Sequence, residues 1–278
     1  MRDVASERDE RGITIQNVGV RDIHLPVVIR EKDGGRARVT GVFEVSVELP
    51  HHERGTHMSR FVEILAKWSK QAVALPEMRE ILGEIRTRFD AWAAHLRLDF
   101  RYFLTKHSPA TGQPCQLDYE CCFIASAVNE GFDFQVGVEV PIITLCPCSR
   151  EISAYGAHSQ RAMLRVRLRA EGERIIWLED LIPLLEQQGS EQVYPMLKRE
   201  DEKLVTERSY ENPKFVEDVV RDSVLALQAL PGAAWFSVEC ESFESIHNHS
   251  AYAYTEWPER WTPGGCAPET DCPRGQRS

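Results

Sequence analysis

No stretch of this chain approaches the ~18 consecutive apolar residues that a membrane-spanning helix needs, so none is expected. The opening residues, MRDVASERDERG, are charged and hold no apolar centre. That argues against a secretory signal and for a cytoplasmic protein. Positive charge is in deficit: 33 Lys and Arg stand against 43 Asp and Glu, a formal net charge of −10. This is the wrong sign for general nucleic-acid binding, although a locally basic pocket can still take an anionic small molecule. Short cysteine pairs are scarce as well. Of eight cysteines, only Cys146 and Cys148 have metal-ligand spacing, so the two-pair signature of a closed Cys₄ zinc site is missing. Without a signal peptide the thiols read as reduced groups or ligands, not as a disulfide scaffold.

What is present centres on TLCPCSREISAYGAHSQR, Thr144 to Arg161. Cys146, Cys148 and His158 are the soft and borderline donors that a zinc-like ion prefers. Pro147 stiffens the turn between the cysteines, and Gly156 permits a bend that could fold His158 back toward them. A second histidine pair, His247 and His249, occurs far along the chain in SIHNHSAYAY. Two buried thiols or a structural zinc site would explain the first stretch alone. Mixed ligands drawn from distant segments fit a catalytic site better.

The rest of the chain alternates between two periods. Phe43, Val45, Val47 and Leu49 alternate with polar residues, a half-buried strand that pairs with apolar runs in 13–30 across the Asp33-Gly34-Gly35 turn. Ser59 is positioned to cap a helix carrying Phe61, Ile64, Leu65 and Trp68. Pro76 opens another, with Met78, Ile81, Leu82, Ile85, Phe89 and Trp92 on one stripe. Strands follow at 96–102 and 117–123, then the turn Asn129-Glu130-Gly131, then strands at 132–140 and 164–168. A helix over 181–185 needs Pro183 in its first turn. Asn212 and Pro213 read as cap and first position of a helix carrying Val216, Val219, Val220 and Leu227, which stops at Pro231-Gly232. Strands at 236–240 and 252–254 close the pattern.

Strand-strand-helix-helix-strand-strand thus occurs twice, predicting an α+β chain of two similar units, each an antiparallel sheet with helices on one face. The expected division is a mobile tail over 1–12, a first unit over 13–130, a second over 131–257 that holds most of the chemistry, and a disordered tail over 258–278. Cys266 and Cys272 fall in that last tail.

Five segments, GTHMSRF (55–61), CPCSREISAYGAH (146–158), LKREDEKLVTE (197–207), YENPKFVEDVVRD (210–222) and ESIHNHSAYAY (244–254), together resemble GTP cyclohydrolase I of the type IB class. The resemblance runs over roughly residues 15 to 257. It implies the tunnelling fold, a homotetramer with active sites between subunits, and the conversion of GTP to formate and 7,8-dihydroneopterin triphosphate, the first step of folate-type pterin synthesis. It also implies one divalent metal per subunit, Zn²⁺, Mn²⁺ or Fe²⁺, held by Cys146, His158, Glu202 and His247. His249 would transfer protons, Cys148 would act as a ligand, a neighbour of one or a thiol near substrate, and Glu217 would accept from the guanine edge. His57, Arg60, Lys198, Arg199 and Lys203 are the candidates for the rest of the substrate, the basic ones for its triphosphate. Departures from the family pattern are Arg150 for a common Lys, Ser159 for a common Asn, and Glu200 for a usual Pro, which sets a second carboxylate close to Glu202. The competing expectations are an NADPH-dependent nitrile reductase of the same fold, with a cysteine nucleophile and no metal, and a non-catalytic zinc-binding protein.

Overall fold

The computed structural model describes residue 5 and residues 7–258. The chain opens with a long hairpin, β1 (Ile15–Arg30) and β2 (Arg36–Leu49), turning at the expected Asp33–Gly35. There follow α1 (Met58–Trp68), the two-residue β3 (Ala72–Val73) and α2 (Leu75–Phe89). Next come three 15-residue strands: β4 (Ala93–His107), β5 (Pro114–Val128) and β6 (Gly131–Leu145). The second half continues with α3 (Pro147–Ile152), β7 (Ser159–Ala170), α4 (Leu178–Glu186) and β8 (Glu191–Gln192). It ends with α5 (Arg199–Glu211), α6 (Val216–Ala229), β9 (Ala233–Ser242) and β10 (Ala251–Trp257).

The strands do not form two sheets. They form one of ten strands, in the order β10-β9-β7-β6-β5-β4-β2-β1-β3, with β8 beside β6. The join is the Asn129-Glu130 turn, which pairs Val128 with Gly131 and runs on to Glu120 opposite Glu139. Asn129 takes φ 55°, the left-handed conformation that two-residue hairpins require and asparagine tolerates. The expected turn is therefore a hairpin that makes the sheet continuous across it.

Alternation puts the apolar side chains of every long strand on one face, where α1, α2, α4 and α6 cover them. Phe61, Ile64 and Leu65 of α1, Met78, Ile81 and Ile85 of α2, Leu181 and Leu185 of α4, and Val219 and Leu227 of α6 are buried in one continuous core with Leu96, Leu98, Val140, Leu164 and Val238. The other face carries charge. There Arg165 reaches Glu239 at 2.7 Å, Glu241 at 3.0 Å and Glu139 at 3.4 Å across three strands.

Polar ties seat α4. Tyr102 and Tyr119, directly opposed on β4 and β5, donate to Glu179 at 2.9 Å and Glu186 at 2.8 Å, near the two ends of that helix. Burial first, and then the glutamates, raise both phenols well above their ordinary range, so they stay neutral donors.

Several local expectations are corrected. His57, not Ser59, is the N-cap of α1. Trp92 lies beyond α2 and is exposed; the stripe ends at Phe89, which stacks on Phe61 at 4.1 Å. Pro183 sits past the first turn of α4, because that helix begins at Leu178. Asn212 ends α5 instead of starting α6, which begins at Val216 with Asp218 receiving the Phe215 N–H. Before β1, Ala5, Glu7 and His52 accept backbone bonds from Gly55, Arg54 and Asp9. The tail beyond Pro258, with Cys266 and Cys272, falls outside the described residues.

Candidate active site

The C-terminal end of β6 gathers most of the singled-out residues. Leu145 pairs with Ser159 at the start of β7, and the Cys146 N–H donates to the His158 carbonyl at 3.2 Å, so the two residues sit side by side. Cys146 caps α3, its sulfur accepting from the Ser149 N–H at 3.4 Å; Pro147 at the first helical position needs no such partner. Cys148 follows, exposed. From the segment between β9 and β10 come His247 and His249. Their rings stack at 5.1 Å, and His247 meets His158 edge-on at 6.5 Å.

Behind His158 lies a hydrogen-bonded network that the sequence did not disclose. Gln160 Nε2 donates to Thr144 Oγ1 at 3.2 Å and to Glu244 Oε1 at 3.4 Å, and Ser242 Oγ donates to Glu244 Oε1 at 2.8 Å. A carboxylate only accepts, so the Gln160 amide nitrogen faces Glu244 and its oxygen faces His158 Nδ1, 2.8 Å away. In that contact a neutral His158 donates from Nδ1 and presents Nε2 as its lone-pair donor. Glu244 Oε2 lies 3.8 Å from the same Nδ1, and both side chains are largely buried. Glu244 stands inside the ESIHNH segment and Gln160 two residues past His158; only the strand register shows that they meet.

The helices bring further residues to this end. The Lys214 N–H donates to the Leu145 carbonyl at 3.1 Å, so Glu217, exposed in the first turn of α6, belongs here as well. Tyr210, near the end of α5, lies under the Arg150 guanidinium at 4.7 Å. Glu202 is at the other end of that helix, eight residues before Tyr210 and roughly 12 Å away in helix rise. Among the described residues no group of three or more His, Cys, Asp or Glu side chains has metal-holding geometry. The donor chemistry of Cys146, His158 and His247 suits a divalent ion, and Glu202 is the carboxylate of the expected set.

Lys198, Arg199 and Lys203 are exposed around the start of α5. Asp201 beside them is fully buried. Burial by itself would raise its carboxyl, but hydrogen bonds from the Lys198 and Thr111 amides, the Thr111 hydroxyl and the Ala110 amide outweigh that and hold it at about 2.

His57 and Arg60 are elsewhere. They line an open cavity of about 630 Å³ with Arg8, His52, Glu53 and Arg88. This cavity adjoins the beginning of β4, which pairs with the end of β5 and so lies level with Gly131. Cys146 follows the opposite end of β6, roughly 45 Å of strand away. One chain does not unite the two clusters.

Comparison with known proteins gives a consistent picture. A family model described as GCHY-1, type I GTP cyclohydrolase folE2, matches residues 1–253. The chain is 49% identical over 260 residues to GTP cyclohydrolase FolE2 of Syntrophotalea carbinolica, covering 94% of this chain and 96% of that protein. It is 48% identical to GTP cyclohydrolase FolE2 of Geobacter sulfurreducens, covering 94% and 99%. Among solved structures, uricase from Arthrobacter globiformis aligns with a TM-score of 0.54 at 7% identity, covering 92% of this chain and 96% of that one. Urate oxidase from Bacillus sp. TB-90 aligns with a TM-score of 0.51 at 10% identity, covering 87% and 99%. At such identities the likeness is one of fold, and the fold is the tunnelling fold.

Proposed function

This chain belongs to the FolE2 family of type I GTP cyclohydrolases, and from that premise we propose how it handles GTP. The reaction opens the guanine imidazole ring at C8, releases formate and recyclises the remaining atoms to 7,8-dihydroneopterin triphosphate, in the cytoplasm and at the head of pterin synthesis. The observation that supports placing it at the end of β6 is the convergence there of Cys146, His158, His247 and His249 from three separate segments.

The proposed cofactor is one divalent ion per subunit, Zn²⁺, Mn²⁺ or Fe²⁺, which Cys146, His158 and His247 would hold, with Glu202 as the carboxylate that the family resemblance adds. When bound, such an ion lowers the pKa of a water from about 16 to about 7 and so supplies a nucleophile near neutral pH. The protein's own groups do the rest. Gln160 and Glu244 keep His158 in one tautomer and orientation. His249, stacked on His247, passes a proton to the opening ring. Exposed Cys148 borders the reacting atoms. Glu217 accepts the ring N1–H and the exocyclic amine together. Lys198, Arg199 and Lys203 face the triphosphate.

His57 and Arg60 fit this scheme only in a neighbouring subunit's site, because their own chain holds its cysteines at the far end of the sheet. That favours active sites shared between subunits of a homotetramer. The test is turnover of GTP by chelator-stripped protein with each metal restored singly, reading formate and the fluorescence of the oxidised pterin. Metal-dependent release of both products is expected. Folded protein that yields no formate with any metal would refute the proposal.

A further inference from the structure

Asp201 has no part in the chemistry above, yet its buried carboxylate accepts four hydrogen bonds. Oδ1 accepts from the Ala110 N–H at 2.8 Å and the Thr111 N–H at 2.9 Å. Oδ2 accepts from the Thr111 hydroxyl at 2.8 Å and the Lys198 N–H at 2.9 Å. Its four acceptor positions are filled, so it has none left for substrate. Three of these bonds reach the turn between β4 and β5, in the other half of the chain, about 90 residues away.

The helix that bears Asp201 needs such a tie. α5 is mostly charged, and its buried residues are only Asp201, Val205 and Ser209, spaced four apart. One apolar side chain contributes little to seating a 13-residue helix. Its position therefore rests on polar ties at its ends. At the C-terminal end, Asn212 Nδ2 donates to the Gly189 and Ser190 carbonyls, both at 3.1 Å. At the N-terminal end the same hairpin splints the approach as well as the helix. Lys106 Nζ donates to the Val193 carbonyl and Ser108 Oγ to the Met196 carbonyl, each at 3.0 Å.

We propose that Asp201 is a positioning residue: it latches the first turn of α5 to the β4–β5 turn and thereby fixes where Lys198, Arg199 and Lys203 meet the triphosphate. The relevance to substrate rests on the reading of those three as phosphate-facing; the latch itself does not. Asparagine cannot replace the carboxylate, because its amide nitrogen would face donors. Glutamate is a methylene too long for the same four partners.

The test uses the full chain carrying Asp201→Asn and, as a milder variant should that one misfold, Thr111→Val, which removes the hydroxyl bond alone. Hydrogen exchange of the 198–204 amides is measured without substrate, and KM and kcat for GTP are measured separately. The expected result is exchange faster by about tenfold or more in Asp201→Asn, with KM raised about tenfold and kcat changed far less; Thr111→Val moves both in the same direction by a smaller factor. Unchanged exchange would overturn the latch. Faster exchange with an unchanged KM, or a fall in kcat alone, would overturn the positioning role. Replacing Lys198, Arg199 and Lys203 together by Ala separates the two ideas: if KM then stays put, the phosphate reading fails, while the exchange result still judges the latch.

Discussion

The two ends of the ten-stranded sheet are built for different work. At the end where β6 meets β7, polar atoms are already spoken for: Gln160, Thr144, Ser242 and Glu244 bond one another and hold His158. At the other end, the cavity beside His57 and Arg60 is open and lined by Arg8, His52 and Arg88, side chains suited to an anion. The first end offers fixed geometry for proton transfer and for a soft-donor ion; the second offers an open cavity lined by several basic side chains together with Glu53 and Asp90, and Arg88 there also pairs with Glu63. A nucleoside triphosphate needs both within one molecule's length, and a strand of 15 residues keeps them apart. The proposed sharing of sites between subunits is the arrangement that would bring the two ends together.

The most severe test of that contrast mixes two inactive proteins. Cys146→Ala removes one end and Arg60→Ala the other, and each alone is expected to lose activity by about a hundredfold or more. Co-refolded in equal amounts, they should recover roughly a quarter of wild-type turnover, because a random quarter of shared sites receives both intact partners. No recovery in demonstrably mixed oligomers would place both ends in separate functions. Within the ordered end, His249→Ala should lower kcat by about 10²- to 10⁴-fold while metal content, read by elemental analysis, stays full; His158→Ala should lose both. Loss of metal from the His249 variant would make that residue a ligand. Glu217→Ala, at the same end but facing the base, should act mainly on GTP affinity, with KM rising by roughly ten- to a hundredfold. Thiol labelling at pH 8, read by peptide mapping, gives a gentler check of the contrast between site and core. Exposed Cys148 should react promptly; Cys240 should remain unmodified, because burial pushes its thiol up to about 12 and it is sealed in the core. Smallest of all, Lys203→Ala removes an exposed 3.7 Å pair with Glu207 and should shift the melting temperature by about a degree or less.

How far the sequence could be read depended on how local each cause is. Alternation in a half-buried strand is a local property, and the strands at 43–49, 96–102 and 236–240 were legible from it. The helix α5 was not, because its residues are mostly charged and its place depends on Thr111 and Asn212, which no periodicity reveals. Asn212-Pro213 carries the residues of a helix start, yet the preceding helix uses that asparagine to end, its side chain bonding Gly189 and Ser190. Cys146, His158 and the two histidines were legible because donor atoms of that type are rarely gathered without reason. Gln160 and Glu244 were not, since each alone is an ordinary polar residue until β7 and the chain after β9 are laid side by side.

The hairpin between β5 and β6 has one more consequence. Any attempt to produce residues 13–130 and 131–257 as separate fragments would cut through nine consecutive residue pairs of that ladder. Each fragment would then present a long, β-rich, newly unpaired edge, with Phe123 and Ile124 on one and Phe132 and Phe134 on the other. Such edges recruit any complementary strand, including another copy of the same fragment. The pieces would sooner precipitate than fold, so a gene for this enzyme cannot be split at its apparent midpoint, however convincing the repeat looks on paper.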